Sequence, residues 1–192
     1  MEHQSESADH LAQREVGEVL LSELQIQAIV QGLAEQITHD YQGRAPLLVG
    51  VLKGAVVFLS DLLRAVDLPT EIDFLAVSSY GASTTSSGVV RILKDLEVPL
   101  EGRDVILVED IIDSGLTLSF LLDILERREP ASLAVCALLV REGLDLPPKT
   151  RHYLRYSGHI LGPGWVVGYG LDAGGRNRNL RALHRYVPAA DK

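Results

Sequence analysis

With 192 residues, 46% of them hydrophobic, the chain has ample material for the core of one domain. The formal net charge of −8 argues against a nonspecific nucleic-acid binder, whose surface would be basic. No apolar run reaches the roughly eighteen residues that a membrane-spanning helix needs, and the lone cysteine, Cys136, excludes an internal disulfide and points to a reducing compartment.

Residues 1–17 are polar and acidic without sustained periodicity, so a loose N-terminal extension is expected there, with 18–192 forming a single domain. The basic-then-apolar pattern of a signal peptide is missing, and a cytoplasmic location is expected. Ile26, Ile29, Val30, Leu33 and Ile37 recur at helical spacing and predict an amphipathic helix that stops before Gly43 and Pro46. Leu47–Leu52 is a continuous apolar run of strand length, as expected for a strand covered on both faces. Lys53-Gly54 then turns the chain into a helix through Ala65. A strand over 71–77, a small-polar loop over 78–88 and a short strand over 89–93 follow.

The next strand, from Val105, runs into Glu109, Asp110 and Asp113 and then into a Ser114-Gly115-Leu116-Thr117 turn that opens a helix over 116–127. Beyond the breaker Pro130, a strand is predicted over 133–140, with Cys136 as a buried small hydrophobe. Strands alternating with helices predict an α/β fold with a mainly parallel sheet and ligands at the strand C-terminal ends. Residues 143–164 read as loop with a strand near Ile160, and 165–169 as a late strand.

The turn at 114–117 suits a phosphate. Backbone N–H groups at a helix start carry partial positive charge, Ser114 and Thr117 add hydroxyl donors, and Gly115 lets the backbone approach an anion. Phosphate would repel bare carboxylates, so Glu109 and Asp110 make sense facing ribose hydroxyls or a magnesium ion. The implied ligand is a sugar phosphate. The competing reading is a core strand with Asp113 or Ser114 as an ordinary helix cap. Lys53-Gly54 also reads as a plain strand-to-helix turn, and 165–172 as an aromatic core strand ended by Asp172.

The run from Val105 to Leu118 resembles the phosphoribosyl-pyrophosphate motif of type I phosphoribosyltransferases, and the remainder is similar to the hypoxanthine (hypoxanthine-guanine) phosphoribosyltransferases among them. The resemblance implies a sheet flanked by helices, a small hood region and a flexible loop closing over the site. It implies purine salvage, in which the 5-phosphoribosyl group passes from phosphoribosyl pyrophosphate to hypoxanthine, and to guanine, with Mg2+ as cofactor. By resemblance Asp113 is the catalytic base toward purine N7, and Glu109, Asp110, Asp113, Ser114, Gly115, Leu116 and Thr117 hold the phosphoribosyl group. Lys53, Gly54, Ser79, Tyr80 and Arg178 fall at pyrophosphate positions, with a non-proline cis bond expected within 52–54. Arg141, Trp165, Val166 and Asp172 fall at purine positions, and Glu109, Asp110 and Asp172 at metal positions.

Two residues depart from the family pattern. Leu116 stands where relatives are often polar or basic, so a side-chain contact near the 5′-phosphate is missing. Arg141 stands where relatives carry the Lys that reaches the purine O6, which leaves base preference open; as an alternative, Arg141 is a surface cation paired with Glu142 or Asp145. Family members associate as dimers or tetramers. Rival readings are a relative preferring xanthine or guanine, and a phosphoribosyltransferase-fold RNA-binding regulator, which the acidic charge disfavours.

Overall fold

In the computed structural model, which describes residues 15–79 and 90–188, the apolar runs become the centre of one sheet. The elements in chain order are β1 (Val16–Leu21), α1 (Glu23–Asp40), β2 (Leu47–Leu52), α2 (Val56–Ala65), β3 (Glu71–Ser79), β4 (Val90–Lys94) and β5 (Asp104–Ile112). They continue with α3 (Leu116–Glu126), β6 (Ser132–Arg141), α4 (Pro148–Tyr153), β7 (Leu154–Leu161), β8 (Val166–Val167) and β9 (Leu183–Tyr186). Six strands lie in the order β4-β3-β2-β5-β6-β7. Only β4 is antiparallel to its neighbour; β3, β2, β5, β6 and β7 run parallel.

Side-chain alternation along a strand sends successive residues to opposite faces, and the core divides accordingly. Leu48, Ile106, Val108, Ala134, Cys136 and Leu138 pack with Ile26, Val30, Leu33 and Ile37 of α1 and Phe58, Leu59 and Leu62 of α2. Leu47, Val49, Val105, Leu107, Val135 and Ala137 pack with Leu118, Leu121, Leu122 and Leu125 of α3. Each fully buried Leu contributes about 1.5–3 kcal/mol of transfer free energy, so both layers are held by burial. The α1 start is closed by a capping box: Gln25 N donates to Ser22 Oγ at 3.3 Å, and Ser22 N donates to Gln25 Oε1 at 2.9 Å.

From β2 the chain moves to β3 and then β4 on one side, and crosses back to place β5 on the other, which makes the β2/β5 edge the switch point where ligands of such sheets bind. Because β2, β5 and β6 are parallel neighbours, Lys53, residues 109–114 and Arg141 emerge along the same edge.

A second sheet of three strands, in the order β1-β9-β8, is antiparallel throughout and forms the expected small hood. Its first strand corrects the extension boundary: β1 begins at Val16, inside the segment read as loose, because its partner β9 lies far away in sequence. The stretch 143–164 is not mainly loop. It holds α4 and the eight-residue β7, an edge strand that buries only Tyr156 and Leu161 and so lacks the apolar density of a central strand. The late strand is only the two residues of β8, since positive φ at Gly168 (101°), Tyr169 (50°) and Gly170 (98°) ends the extended run. Tyr80 and the expected closing loop lie outside the described residues.

Candidate active site

The turn after β5 places Gly115 in the left-handed region at φ 72° as the N-cap position of α3, and the side-chain contact to its first turn is a long one, Leu116 N donating to Ser114 Oγ at 3.4 Å. Uncapped first-turn N–H groups are donors in search of an acceptor. Glu109, Ile111, Ile112, Asp113, Ser114, Gly115, Thr117 and Leu118 line a small cavity of about 120 Å³ around them. Helix α4 buttresses the turn from behind: Thr150 Oγ1 donates to Gly115 O at 3.2 Å, and a β-carbon on Gly115 would press on Pro147 Cδ at 3.1 Å. Leu116 is exposed and outside the lining, so its apolar side chain removes nothing from the cup wall.

A second cavity, about 480 Å³, opens beside the first and is lined by Ile111, Asp113, Arg141, Pro163, Gly164, Trp165, Val166, Leu171 and Asp172. Its size suits a small flat ring. Trp165 stands at the lip, 78% exposed, while Val166 is buried in β8. Arg141 is not paired with Glu142 or Asp145. Its Nε donates to Asp113 Oδ1 at 2.9 Å, and its Nη1 donates to Gly162 O at 2.7 Å and to Gly164 O at 3.0 Å; Asp145 binds Arg151 at 2.7 Å instead.

The third component lies at the switch point. The Leu52–Lys53 peptide is cis, as the resemblance implied. Gly54 approaches the Asp110 carboxylate so closely that a β-carbon could not fit between them, and Gly170 in turn lies against Gly54 O. Arg178 Nη1 donates to Gly170 O at 2.6 Å, and its Nη2 pairs with Asp172 Oδ1 at 2.5 Å. Asp172 Oδ2 accepts from Gly175 N at 2.6 Å. Lys53, Gly54, Asp110, Asp172 and Arg178 therefore belong to one neighbourhood. Ser79 closes β3 opposite Val90.

Burial pushes the Glu109 carboxyl well above the usual carboxylate range, and the adjacent Asp110 charge adds to this. Burial also raises Asp110; the N–H groups of Ile111 and of Asp110 itself and the Arg178 guanidinium oppose the shift, and Asp172 reinforces it. Carboxylates that resist ionising alone are stabilised by an arriving cation or by donated hydroxyls. Among the described residues no three acidic, His or Cys side chains converge as a protein-only metal cage. One or two carboxylates completed by substrate oxygens are what Mg2+ requires, so Asp110 and Asp172 fit that ion, with Glu109 facing the small cavity.

Several contributing residues carry little local signal in the sequence. Ile111 and Leu171 wall the ring cavity, Gly162 and Gly164 supply carbonyls to Arg141, and Gly170 makes room for Gly54. The Gly168-Tyr169-Gly170 spacing was the visible hint of an irregular, closely approached backbone.

Comparison with known proteins agrees with this arrangement. The phosphoribosyl transferase domain family matches residues 18–173. A hypoxanthine-guanine phosphoribosyltransferase of Mycobacterium tuberculosis is 50% identical over 183 residues, covering 91% of this chain and 88% of that protein. Its Bacillus subtilis counterpart is 42% identical over 181 residues, covering 93% and 98%. The crystal structure of a hypoxanthine phosphoribosyltransferase from Staphylococcus aureus superimposes with a TM-score of 0.84 at 38% identity, covering 96% of this chain and 97% of that one. A Bacillus anthracis hypoxanthine-guanine phosphoribosyltransferase with HEPES in its active site gives 0.82 at 40% identity, covering 90% and 100%. With a phosphate-sized cup and a ring-sized cavity at the switch point of a parallel sheet, and with relatives this similar over nearly their full length, the chain belongs to the phosphoribosyl transferase domain family.

Proposed function

We propose that the chain is a purine-salvage enzyme that transfers the 5-phosphoribosyl group from phosphoribosyl pyrophosphate to hypoxanthine and guanine, releasing pyrophosphate. The observation that carries this reading is that the two cavities share Ile111 and Asp113 as a common wall. A cup for a sugar phosphate and a slot for a flat ring, joined at one carboxylate, are what a reaction coupling ring to sugar requires.

Residues 113–117 hold the 5′-phosphate through backbone N–H groups and the Ser114 and Thr117 hydroxyls, and Glu109 and Asp110 face the ribose hydroxyls. Trp165 stacks on the purine, the Val166 backbone reads its edge, and Arg141 donates to the 6-oxo group. Asp113 takes the ring proton as purine N9 bonds to C1′ and the C1′–O bond to pyrophosphate breaks, the electron pair leaving with pyrophosphate. Lys53, the Gly54 backbone, Ser79, Tyr80 and Arg178 receive that leaving group. Asp110 and Asp172 would hold Mg2+, whose charge offsets that of pyrophosphate.

The proposed setting is the cytoplasm, with small-molecule substrates and a dimer or tetramer as the working form. No helix among the described residues is long and apolar enough to cross a membrane. The deciding assay incubates the protein with phosphoribosyl pyrophosphate and hypoxanthine, guanine, xanthine or adenine, with and without Mg2+. Nucleotide and pyrophosphate should form in equal amounts from the first two bases and only with Mg2+. Absence of nucleotide from all four bases would end the proposal, and turnover confined to xanthine would reassign the substrate.

A further inference from the structure

Arg141 is the last residue of β6, and its side chain is only 18% exposed although it lines an open cavity. Its nitrogen atoms are divided among separate segments. Nε holds Asp113, from the turn after β5, while Nη1 holds the carbonyls of Gly162 and Gly164, from the loop between β7 and β8. Trp165 follows that loop directly, and its own carbonyl is fixed from the other side by Tyr186 N at 2.8 Å. The loop backbone also needs its glycine: Gly164 sits at φ 110°, and a β-carbon there would meet Arg185 Nη1 at 2.8 Å. Among the described residues, Nη2 has no hydrogen-bond partner.

We propose that Arg141 is the positioning residue of the ring-binding half of the site, its guanidinium setting the separation between the Asp113 carboxylate and the loop that carries the Trp165 indole. This deepens the function proposed above and rests on it. A ring bound between Trp165 and Arg141 is gripped on its face by the indole and at its edge by Asp113, and both grips are registered by the same group. Nη2 is then the donor left for a carbonyl on the ring.

A lysine here would not hold the same three contacts at once. Its three donors radiate from one nitrogen atom, whereas a guanidinium offers five N–H bonds in a rigid plane. An ammonium that reaches Asp113 gives up the two carbonyls, and one that reaches the carbonyls gives up Asp113. In this chain the placement of Asp113 relative to the Trp165 loop thus depends on the guanidinium's geometry rather than on its charge alone.

Trp165 is the only tryptophan in the chain, so fluorescence excited selectively at the indole, beyond the absorption of the tyrosines, reports on this loop. The test compares wild type, Arg141→Lys, Trp165→Leu, the double variant and Asp113→Ala. In the unliganded proteins, Arg141→Lys should lower Trp165 fluorescence anisotropy and raise its quenching by acrylamide, whereas Asp113→Ala, which leaves both carbonyl bonds in place, should change neither. In turnover, Arg141→Lys should lower kcat/KM for purine by about 10–100-fold while KM for phosphoribosyl pyrophosphate stays within about threefold. The double variant should lose little more than the worse single variant, since both disrupt one unit. Unchanged anisotropy in Arg141→Lys, or losses that simply multiply in the double variant, would overturn the proposal and leave Arg141 as an independent ring contact. A wild type without turnover would fail the function proposed above, while the anisotropy of the unliganded variants would still decide the role of Arg141.

Discussion

Gly54 and Asp110 meet across the gap between β2 and β5 so closely that a single methyl on Gly54 would fall inside the Asp110 carboxylate. The atom displaced would be the end of a side chain rather than backbone, so the fold can yield by swinging Asp110 aside. That carboxylate is the one assigned to ribose and metal. Gly54→Ala is therefore expected to keep its melting temperature within a few degrees while kcat/KM for phosphoribosyl pyrophosphate falls by about 10–100-fold, equivalent to about 1–3 kcal/mol of misplacement. Steady-state kinetics beside a thermal melt checks this; a melt that collapses with the activity would make the contact structural only.

Asp113→Asn should lower turnover by about 10²–10⁴-fold, the usual worth of a positioned proton acceptor. Binding of phosphoribosyl pyrophosphate should change by no more than a few-fold, because the cup donors are backbone and hydroxyl groups. Parallel losses in turnover and in calorimetric affinity would remove Asp113 from the role of base.

Tyr169 is buried in the irregular run after β8, and its hydroxyl donates to Asp61 Oδ2 of α2 at 2.7 Å. Burial, together with the Asp61 partner, pushes the phenol far above its ordinary range, so the proton stays on Tyr169 throughout the working pH range. The bond ties the segment bearing Asp172 to the helix that follows Lys53-Gly54. Tyr169→Phe should cost about 1.5–3 kcal/mol of stability, as expected for a hydrogen bond to a charged acceptor. It should also raise KM for pyrophosphate in the reverse reaction. Denaturant unfolding with reverse-direction kinetics would show both effects, and a change in stability alone would confine the bond to the fold.

Asp73 is a buried acid away from the site. Its Oδ1 accepts from Phe74 N at 2.7 Å, and its Oδ2 accepts from Glu97 N at 2.7 Å and Val98 N at 3.3 Å, with Lys94 Nζ at 3.5 Å from Oδ1. Burial opposes its charge, but these N–H donors and Lys94 outweigh it, so the carboxyl titrates below its usual range. A carboxyl whose folded pKa is depressed adds stability that is full above its unfolded value of about 3.9 and disappears as pH falls through the lower folded value. Asp73→Asn should therefore be less stable at pH 7 and lose less on acidification than wild type. Urea midpoints from pH 7 down to about pH 3 would show the two curves converging, and parallel curves would count against it.

The main sheet was legible because β2, β5 and β6 are covered on both faces and must be apolar along their length. The turn at 113–117, proposed above to hold phosphate, was legible as a turn because it is contiguous in sequence. The strands without an expectation, β1 and β9, find each other across most of the chain, with Val16 opposite Tyr186; β9 is only four residues long, and the apolar residues of β1 lie beside the polar N-terminal stretch. β7 was legible only around Ile160, because the polar residues Arg155, Ser157 and His159, which an edge position tolerates, obscure its earlier part. In the site, the Arg141–Asp113 pair was out of reach for a related reason. It depends on how far two neighbouring strands project beyond the sheet, and local sequence had offered Glu142 and Asp145 as nearer partners.

The hood joins the outermost described strands of the chain, and the Trp165 carbonyl is held by Tyr186 of β9. During translation the six-stranded sheet can be completed once β7 has left the ribosome, but the brace behind the indole cannot form until β9 emerges to pair with β1. A nascent chain therefore carries a nearly finished scaffold before β9 emerges to brace the segment bearing Trp165.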